Sequence, residues 1–201
     1  MQVISSGLGL VPKSLKKKFL ARVTSVLASR VFLKLGFAEV SLTIVRDATM
    51  RRLNKDYRAK DKPTDVLSFA HDADIGNGKF LGSPSLGDIV ISIDTAKRQA
   101  QEFEVTLLDE LTRLFIHGML HCAGFDHENV SRSEAQRMFR KQNYLMTRIT
   151  GRLKKQRPPF VSQKKPAVVQ PLKQKRNGLT QRRKQLRSSS SPKELSRGRK
   201  K

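Results

Sequence analysis

Histidine spacing is the feature that most constrains this chain. Three of its four histidines, His117, His121 and His127, fall within eleven residues. The first two are four residues apart, so on a helix they share one face and lie about 6 Å apart along the axis. Gly124 can end that helix in a left-handed conformation, after which the chain turns back towards the first two histidines. The spacing therefore predicts a three-histidine metal site at the end of a helix.

Three neutral imidazoles with an open fourth position are typical of a catalytic zinc site. Such a site lowers the pKa of the water that completes it to about 7, so we expect one zinc ion per chain and hydrolytic chemistry. The fourth histidine, His71, falls in a polar loop and is interpreted as solvated. Cys122 points about 100° away from His121 on a helix, which favours a buried structural thiol over a fourth ligand.

The same histidine spacing occurs in the long zincin motif of metallopeptidases, H-E-x-x-H-x-x-G-x-x-H. The glutamate of that motif is the general base, and Gly118 takes its place here. Without the carboxylate, peptide hydrolysis lacks its proton acceptor. A zinc metalloprotease is therefore the alternative, and not the leading interpretation.

The charge of the chain indicates a polyanionic partner. The chain has 41 Lys and Arg against 17 Asp and Glu, a net charge of +24. Residues 152–201 hold 18 of the basic residues and one acid, which gives +17 and leaves +7 for residues 1–151. Because this stretch also holds five of the eight prolines and shows no sustained apolar period, we predict one domain at 1–151 and a disordered basic tail at 152–201. A polycation of this kind is expected to contact RNA, and the alternative is a solubilising extension.

Two further features indicate the compartment. No window approaches the roughly 20 apolar residues that cross a bilayer, and we expect no membrane partner. A single cysteine excludes an internal disulfide and fits a reducing compartment. The expected location is the cytoplasm.

Hydrophobic periodicity predicts an α+β domain, in which a small mixed β-sheet is surrounded by helices and the metal site lies at the end of a central buried helix. Helices are predicted at about 14–29, from a cap at Asp47 with Met50, Leu53 and Tyr57 on the inner face, from a cap at Asp94, over 107–122, and from Ser131 or Ser133 onwards. Strands are predicted at 40–45, 66–69 and 89–93, with a Gly-rich loop at 71–85 between the last two. The order of the strands is not predicted.

The assembled motifs resemble the YbeY family of bacterial rRNA-maturation endoribonucleases. Residues 117–127 match a signature close to H-G-x-L-H-L-x-G-x-D-H, and they depart from it only at Cys122 and Phe125, where the family usually has leucine and tyrosine. Residues 53–69 look like the second block of the family, and residues 86–89 look like the third. The resemblance covers about residues 1–151 and stops at the tail.

The resemblance implies cleavage of single-stranded RNA, maturation of the 3′ end of 16S rRNA, and late-stage ribosome quality control. Its expected partners are the 16S rRNA precursor, the small subunit and the assembly factors of that subunit. It also implies that His117, His121 and His127 hold one zinc ion and that Arg58 stands near the metal. A guanidinium binds phosphate through two parallel hydrogen bonds and stabilises developing charge, so Arg58 is predicted to bind substrate and, with His117, to act in catalysis.

Several acidic residues near these motifs have open roles. Asp65 or Asp88 could accept a hydrogen bond from a ligand imidazole and fix its tautomer, although turns and caps explain them equally well. Asp126 and Glu128 flank the third histidine and are candidates for proton transfer, but exposed loops carry such residues without a catalytic role. The general base is not identified. A structural zinc in an RNA-binding assembly factor without turnover is the remaining alternative.

Overall fold

The computed structural model of the chain describes residues 1–37, 39–71, 85–127 and 130–151, together with the backbone of 75–76, 79–80 and 168–169. The helices are α1 (Lys13–Leu27), α2 (Arg30–Leu33), α3 (Asp47–Arg58), α4 (Ile93–Glu102), α5 (Leu107–Cys122) and α6 (Arg132–Thr150), with a 3-10 turn at Leu8–Leu10. The strands are β1 (Gln2–Ser6), β2 (Glu39–Val45), β3 (Val66–Ala70), β4 (Ile75–Gly76), β5 (Lys79–Phe80), β6 (Ser85–Ser92) and β7 (Val168–Val169). None of the described helices combines the length and the apolar character that a membrane crossing needs.

The strands form one mixed sheet in the order β1-β2-β6-β3-β7, while β4 and β5 pair separately as a short antiparallel hairpin. The pairs β1·β2, β2·β6 and β3·β7 are parallel, and β3 runs antiparallel to β6. Alternate residues of β2 are buried, as a strand with one face on a core requires. This small mixed sheet with its helices confirms the predicted α+β class.

Helix α5 lies in the centre of the domain. It packs against α1, α4 and α6 and against strands β3 and β6. Thr106 begins the helix because its side chain accepts a hydrogen bond from the backbone N–H of Asp109 at 3.1 Å. Every residue from Asp109 to Cys122 is buried, so the prediction of a core helix that ends near Cys122 is confirmed. The site that follows it therefore stands on a rigid element.

The other predicted elements agree with the structure to within a few residues, and the structure fixes where two of them begin. Ser131 caps α6 and forms a capping box with Glu134, so Ser131 and not Ser133 begins this helix. Strand β6 begins at Ser85 and ends at Ser92, which shortens the predicted loop and places Ile93 in α4. Most of that loop, at 72–74, 77–78 and 81–84, lies outside the described residues.

The two aspartates predicted as helix caps do other work. Asp47 lies in the first turn of α3 and accepts hydrogen bonds from the hydroxyls of Ser92 and Thr95, while Arg46 holds the cap position. Ser92 caps α4, and Asp94 accepts a hydrogen bond from the backbone N–H of Asp47 at 3.1 Å. Both cap predictions are wrong, because each carboxylate links α3 to α4 across the end of the sheet. From the sequence alone, only the local role of each aspartate as a helix cap can be predicted.

One residue of the predicted inner face of α3 is misplaced. Met50 is fully buried and Leu53 is half-buried, but Tyr57 is 38% exposed and its ring meets the edge of Phe69 at 4.9 Å. Asn54 is the second buried residue of this helix, and its amide donates to the carbonyl of Lys62 at 2.7 Å. The helix therefore uses a polar residue to fix the loop that follows it.

The basic tail at 152–201 lies outside the described residues except for β7, which pairs Val168 with Ser68 and Val169 with Phe69. No strand was predicted there. Helix α6 ends next to Gly151, which has a φ of +64° in the left-handed conformation. The domain boundary at 151 stays a prediction. The proposed disorder of the tail stays a prediction.

Candidate metal centre

The three motif histidines meet at the end of α5. Beyond Cys122 the chain reverses: Gly124 has a φ of +79°, and the backbone N–H of Phe125 donates to the carbonyl of Leu120 at 2.9 Å. A residue with a Cβ would be strained at that φ, so the turn predicted at Gly124 is confirmed. The turn carries His127 back to the helix. His117, His121 and His127 then form a group whose ligand atoms all lie within 4.8 Å of one another.

The same ring nitrogen of each histidine points into the group. The Nε2 atom of His117 lies 3.1 Å from that of His121 and 3.4 Å from that of His127. A zinc ion bound by imidazole at 2.0–2.1 Å in a tetrahedral site separates its ligand nitrogens by about 3.3 Å. The two separations are therefore those of ligands that share one ion.

A hydrogen bond sets the tautomer of His117. Its Nδ1 lies 2.9 Å from the side-chain oxygen of Gln142 on α6, and both residues are buried. Since that oxygen only accepts, Nδ1 carries the proton and donates it, which leaves the Nε2 lone pair free for a metal. Gln142 thus performs the orienting role that ligand histidines require. Sequence analysis missed this residue.

The protonation of the cluster favours cation binding. The pKa of His121 is lowered to about 4, chiefly by burial and next by the charge of the neighbouring His127. Burial likewise lowers the pKa values of His117 and His127. Near neutral pH the three rings are therefore uncharged, so a cation can bind without displacing protons.

Asp65 and Asp88, the two candidates for orienting a ligand imidazole, bind other groups. Asp65 accepts hydrogen bonds from Gln99 and from the backbone of Val66, and Asp88 pairs with His71 at 2.9 Å. The charge of Asp65 still acts on the centre, because it partly opposes the lowering of the pKa of His127 by burial. His71 is not simply solvated as predicted, because its partner Asp88 holds it in a half-buried position.

Asp126 is the carboxylate that lies beside the ligands. Its Oδ1 accepts a hydrogen bond from the backbone N–H of His127 at 2.6 Å and lies 3.8 Å from Nδ1 of His121. This charge raises the pKa values of both histidines. Glu128 lies outside the described residues.

Arg58 is the last residue of α3 and is half-buried. Its positive charge is one of the causes that lower the pKa of His121, so the guanidinium acts directly on the histidine cluster. Ala59 follows in the left-handed conformation with a φ of +55°, and its N–H donates to the carbonyl of Lys55. This hydrogen bond fixes the end of the helix that carries Arg58.

Gly118 and Cys122 face away from the centre, towards the sheet. A Cβ at Gly118 would lie 2.8 Å from a side-chain carbon of Ile89, closer than packing allows. A glutamate at this position would meet β6, which explains in packing terms why the peptidase base is absent. Cys122 is buried, burial raises its pKa to about 12, and it lies against Gly87, so the predicted structural thiol is confirmed.

Comparison with known proteins identifies the family. Residues 10–150 match the family described as Endoribonuclease YbeY. The chain belongs to the YbeY endoribonuclease family. Among its relatives, the Endoribonuclease YbeY of Sulfurihydrogenibium sp. is 42% identical over 141 residues, which is 70% of this chain and 88% of the relative. That of Aquifex aeolicus is 44% identical over 122 residues, which is 60% of this chain and 77% of the relative.

A solved structure also shows the YbeY-like fold. The solution structure of TM1509 from Thermotoga maritima matches with a TM-score of 0.50 and 26% identity, over 75% of this chain and 90% of that one. The resemblance stated from three sequence motifs is thus confirmed over the whole YbeY domain, and neither alternative, peptidase or assembly factor without turnover, is favoured. The match to the family stops where α6 ends.

Proposed function

We propose that this chain is a zinc-dependent endoribonuclease that cuts single-stranded RNA, with the 16S rRNA precursor of the small ribosomal subunit as its substrate in the cytoplasm. The observation that carries the proposal is the convergence of three Nε2 atoms, with the tautomer of His117 set by Gln142, in a member of an endoribonuclease family. On this proposal the enzyme meets its substrate together with the assembly factors of the subunit.

The residues of the chain divide the work. His117, His121 and His127 hold one zinc ion, and none of them brings a charge of its own near neutral pH. When bound, the ion supplies a Lewis acid and a water of lowered pKa. Arg58 binds the phosphate at the scissile bond and stabilises the negative charge that grows there during attack. Gln142 keeps the ligand ring of His117 in place throughout.

Two features favour RNA over protein as the substrate. Gly118 leaves the centre without the carboxylate that peptide hydrolysis uses as its base. A net charge of +24 attracts phosphates and raises the rate at which RNA reaches the centre. A single strand also fits a centre at the end of a helix better than a stiff A-form duplex.

Chelation is the first test of this function. The full-length protein loaded with zinc is expected to cut a single-stranded RNA and to leave a matched duplex and unfolded casein intact. A chelator stops the cleavage and added zinc restores it. His121→Ala is expected to lose both zinc and activity, whereas His71→Ala removes a histidine outside the cluster and is expected to keep both. Chelator-sensitive proteolysis without RNA cleavage contradicts the proposal.

Arg58 provides the second test. Loss of a single group that stabilises transition-state charge lowers turnover by about 10². We therefore expect Arg58→Ala to bind zinc as the parent does but to cut RNA about 10²-fold more slowly. The matched control is Arg52→Ala on the exposed face of the same helix, which is expected to stay within a few-fold of the parent. Equal rates for the two variants would make Arg58 a surface residue without a role in the reaction.

A further inference from the structure

Helix α6 carries a stripe of basic residues that lies outside its buried face. Five of its residues are Lys or Arg, and Glu134 is its one acid. With about 100° of rotation per residue, five side chains point along one line of the helix over a length of about 17 Å. These five residues, which we call the α6 stripe, are Arg137, Arg140, Lys141, Tyr144 and Arg148. The buried face of the helix, with Met138, Gln142 and Leu145, lies beside the stripe and does not include it.

The cations of the stripe differ from two arginines on α3 and α4, which form ion pairs with carboxylates. On α3 and α4, Arg51 binds Asp61 at 2.8 Å and Arg98 binds Asp47 at 2.8 Å. Within the described part of the chain, no basic residue of the α6 stripe makes an ion pair with a carboxylate. Its positive charge is therefore available to an external anion.

Helix stability does not explain the stripe. Cations stabilise the last turn of a helix, where Arg148 lies, but not the first half, where Arg137 and Arg140 lie. Tyr144 is 54% exposed and holds its ring at the surface with its hydroxyl bonded to Arg148 at 3.1 Å. An exposed aromatic ring among cations is the combination that binds single-stranded nucleic acid, since bases stack on the ring while cations follow the phosphates.

One end of the stripe contacts the turn that leads to His127. The side chains of Arg137 and Lys141 lie over the ring of Phe125, at 5.2 and 5.1 Å from its centroid. Phe125 belongs to the turn that carries His127, and the ring of His127 lies 5.3 Å from that of Phe139 on α6. The turn that positions the third ligand therefore contacts the end of the stripe, so an RNA strand held at the centre lies close to the first cations of the stripe.

From these contacts we propose that the α6 stripe binds the nucleotides of a single-stranded RNA that flank the bond held at the metal centre. This inference rests on the proposed function and names a binding surface for its substrate. Arg137, Arg140, Lys141 and Arg148 contact phosphates, and Tyr144 stacks on a base. The stripe is expected to raise the affinity for longer RNA without a preference for sequence. It contacts only an RNA long enough to extend beyond the metal centre.

Two RNA lengths test the inference in the full-length protein. Substrates of about four and about sixteen nucleotides cover the range of single-strand binding sites. The double variant Arg140→Gln/Arg148→Gln is expected to weaken binding of the long RNA about tenfold and to leave binding of the short RNA unchanged. Each phosphate contact contributes about 0.7 to the slope of log affinity against log salt, so the slope should flatten by about 1.4. Tyr144→Ala is expected to weaken long-RNA binding about tenfold without changing that slope.

The matched control removes the same charge elsewhere. Lys16 and Lys17 are exposed on α1, and Lys16→Gln/Lys17→Gln is expected to bind both RNAs as the parent does. Equal losses in the two double variants overturn the inference, since they show a general charge effect. Loss of binding to phosphatidylserine vesicles or to an acidic peptide, with RNA binding intact, also overturns it. Binding is measured apart from cleavage, so a protein that binds long RNA through the stripe but cuts none contradicts the proposed function alone.

Discussion

Helix α5 buries two polar clusters one turn apart, and the two are satisfied in opposite ways. Arg113 donates two hydrogen bonds to Glu110, at 2.6 and 3.0 Å, and lies 3.7 Å from Asp65. Four residues later, His117 turns a free Nε2 lone pair towards the same nitrogen of two other histidines. The first cluster contains its own counter-charge. The second brings together three ring nitrogens that can ligate one cation.

This difference separates a structural element from a binding site. Buried charges are tolerated when they are paired, so the Arg113 cluster contributes to the fold whether or not a metal is present. The three histidines are ligand groups, so a cation that binds them adds its binding free energy to the free energy of unfolding. The two clusters are also coupled electrostatically, because the charge of Arg113 helps to lower the pKa of His117 and so keeps that ring neutral.

The largest expected effect comes from breaking the paired cluster. Arg113→Met leaves the carboxylates of Glu110 and Asp65 buried without their counter-charge, which costs about 3–5 kcal/mol of unfolding free energy. Urea denaturation of the metal-free protein measures this loss. Arg51→Met is the control, because its ion pair with Asp61 is exposed on both sides and its loss is expected to leave the free energy of unfolding almost unchanged. If both variants lose the same small amount, the Arg113 cluster does not support the fold.

The histidine cluster should show the opposite dependence. Zinc at about 100 times its dissociation constant is expected to raise the free energy of unfolding by about 2.7 kcal/mol in the parent. His121→Ala removes a buried ring and is expected to lower the stability of the metal-free protein, and the gain on adding zinc should disappear. His71→Ala is expected to keep the whole gain. A zinc-dependent gain that survives in His121→Ala would show that the ion binds elsewhere.

The sequence predicts the histidine cluster but not the paired one, for a physical reason. Ligand spacing on a helix and a glycine that ends it are local features, so His117, His121 and His127 follow from eleven residues. The partners of Arg113 include Asp65, which is distant in sequence and arrives through the antiparallel pairing of β3 with β6. Such a contact depends on strand order, which periodicity does not reveal.

Predictions from residue type were wrong where a side chain makes a tertiary contact instead of the local one that its type favours. Asp47 and Asp94 have the side chains of helix caps but bind across the gap between α3 and α4 instead. Asp65 and Asp88 have the chemistry to orient an imidazole, yet that role belongs to Gln142. An amide in an amphipathic helix is common on protein surfaces, so nothing local distinguishes Gln142 from its exposed neighbour Asn143.

The smallest expected effect comes from replacing Gln142. Unlike the loss of Arg113, the loss of Gln142 removes the partner of a neutral ring and leaves no buried charge unpaired. Gln142→Leu deprives Nδ1 of His117 of its acceptor and frees the ring to change tautomer. Loss of such an orienting group typically weakens metal affinity by 10–100-fold, and isothermal titration with zinc measures it. Asn143→Leu, on the exposed side of the same turn, should bind zinc as the parent does.

A conservative replacement distinguishes orientation from packing. Gln142→Glu keeps an acceptor opposite Nδ1 and makes the imidazole more basic, so zinc affinity should match or exceed that of the parent even though the apo protein now buries a carboxyl group. If the role of Gln142 were only to fill space between α5 and α6, Gln142→Leu would retain zinc affinity and Gln142→Glu would lower it. That opposite ranking would contradict the assignment of the tautomer and, with it, the reason that the Nε2 atom of His117 is free to bind a cation.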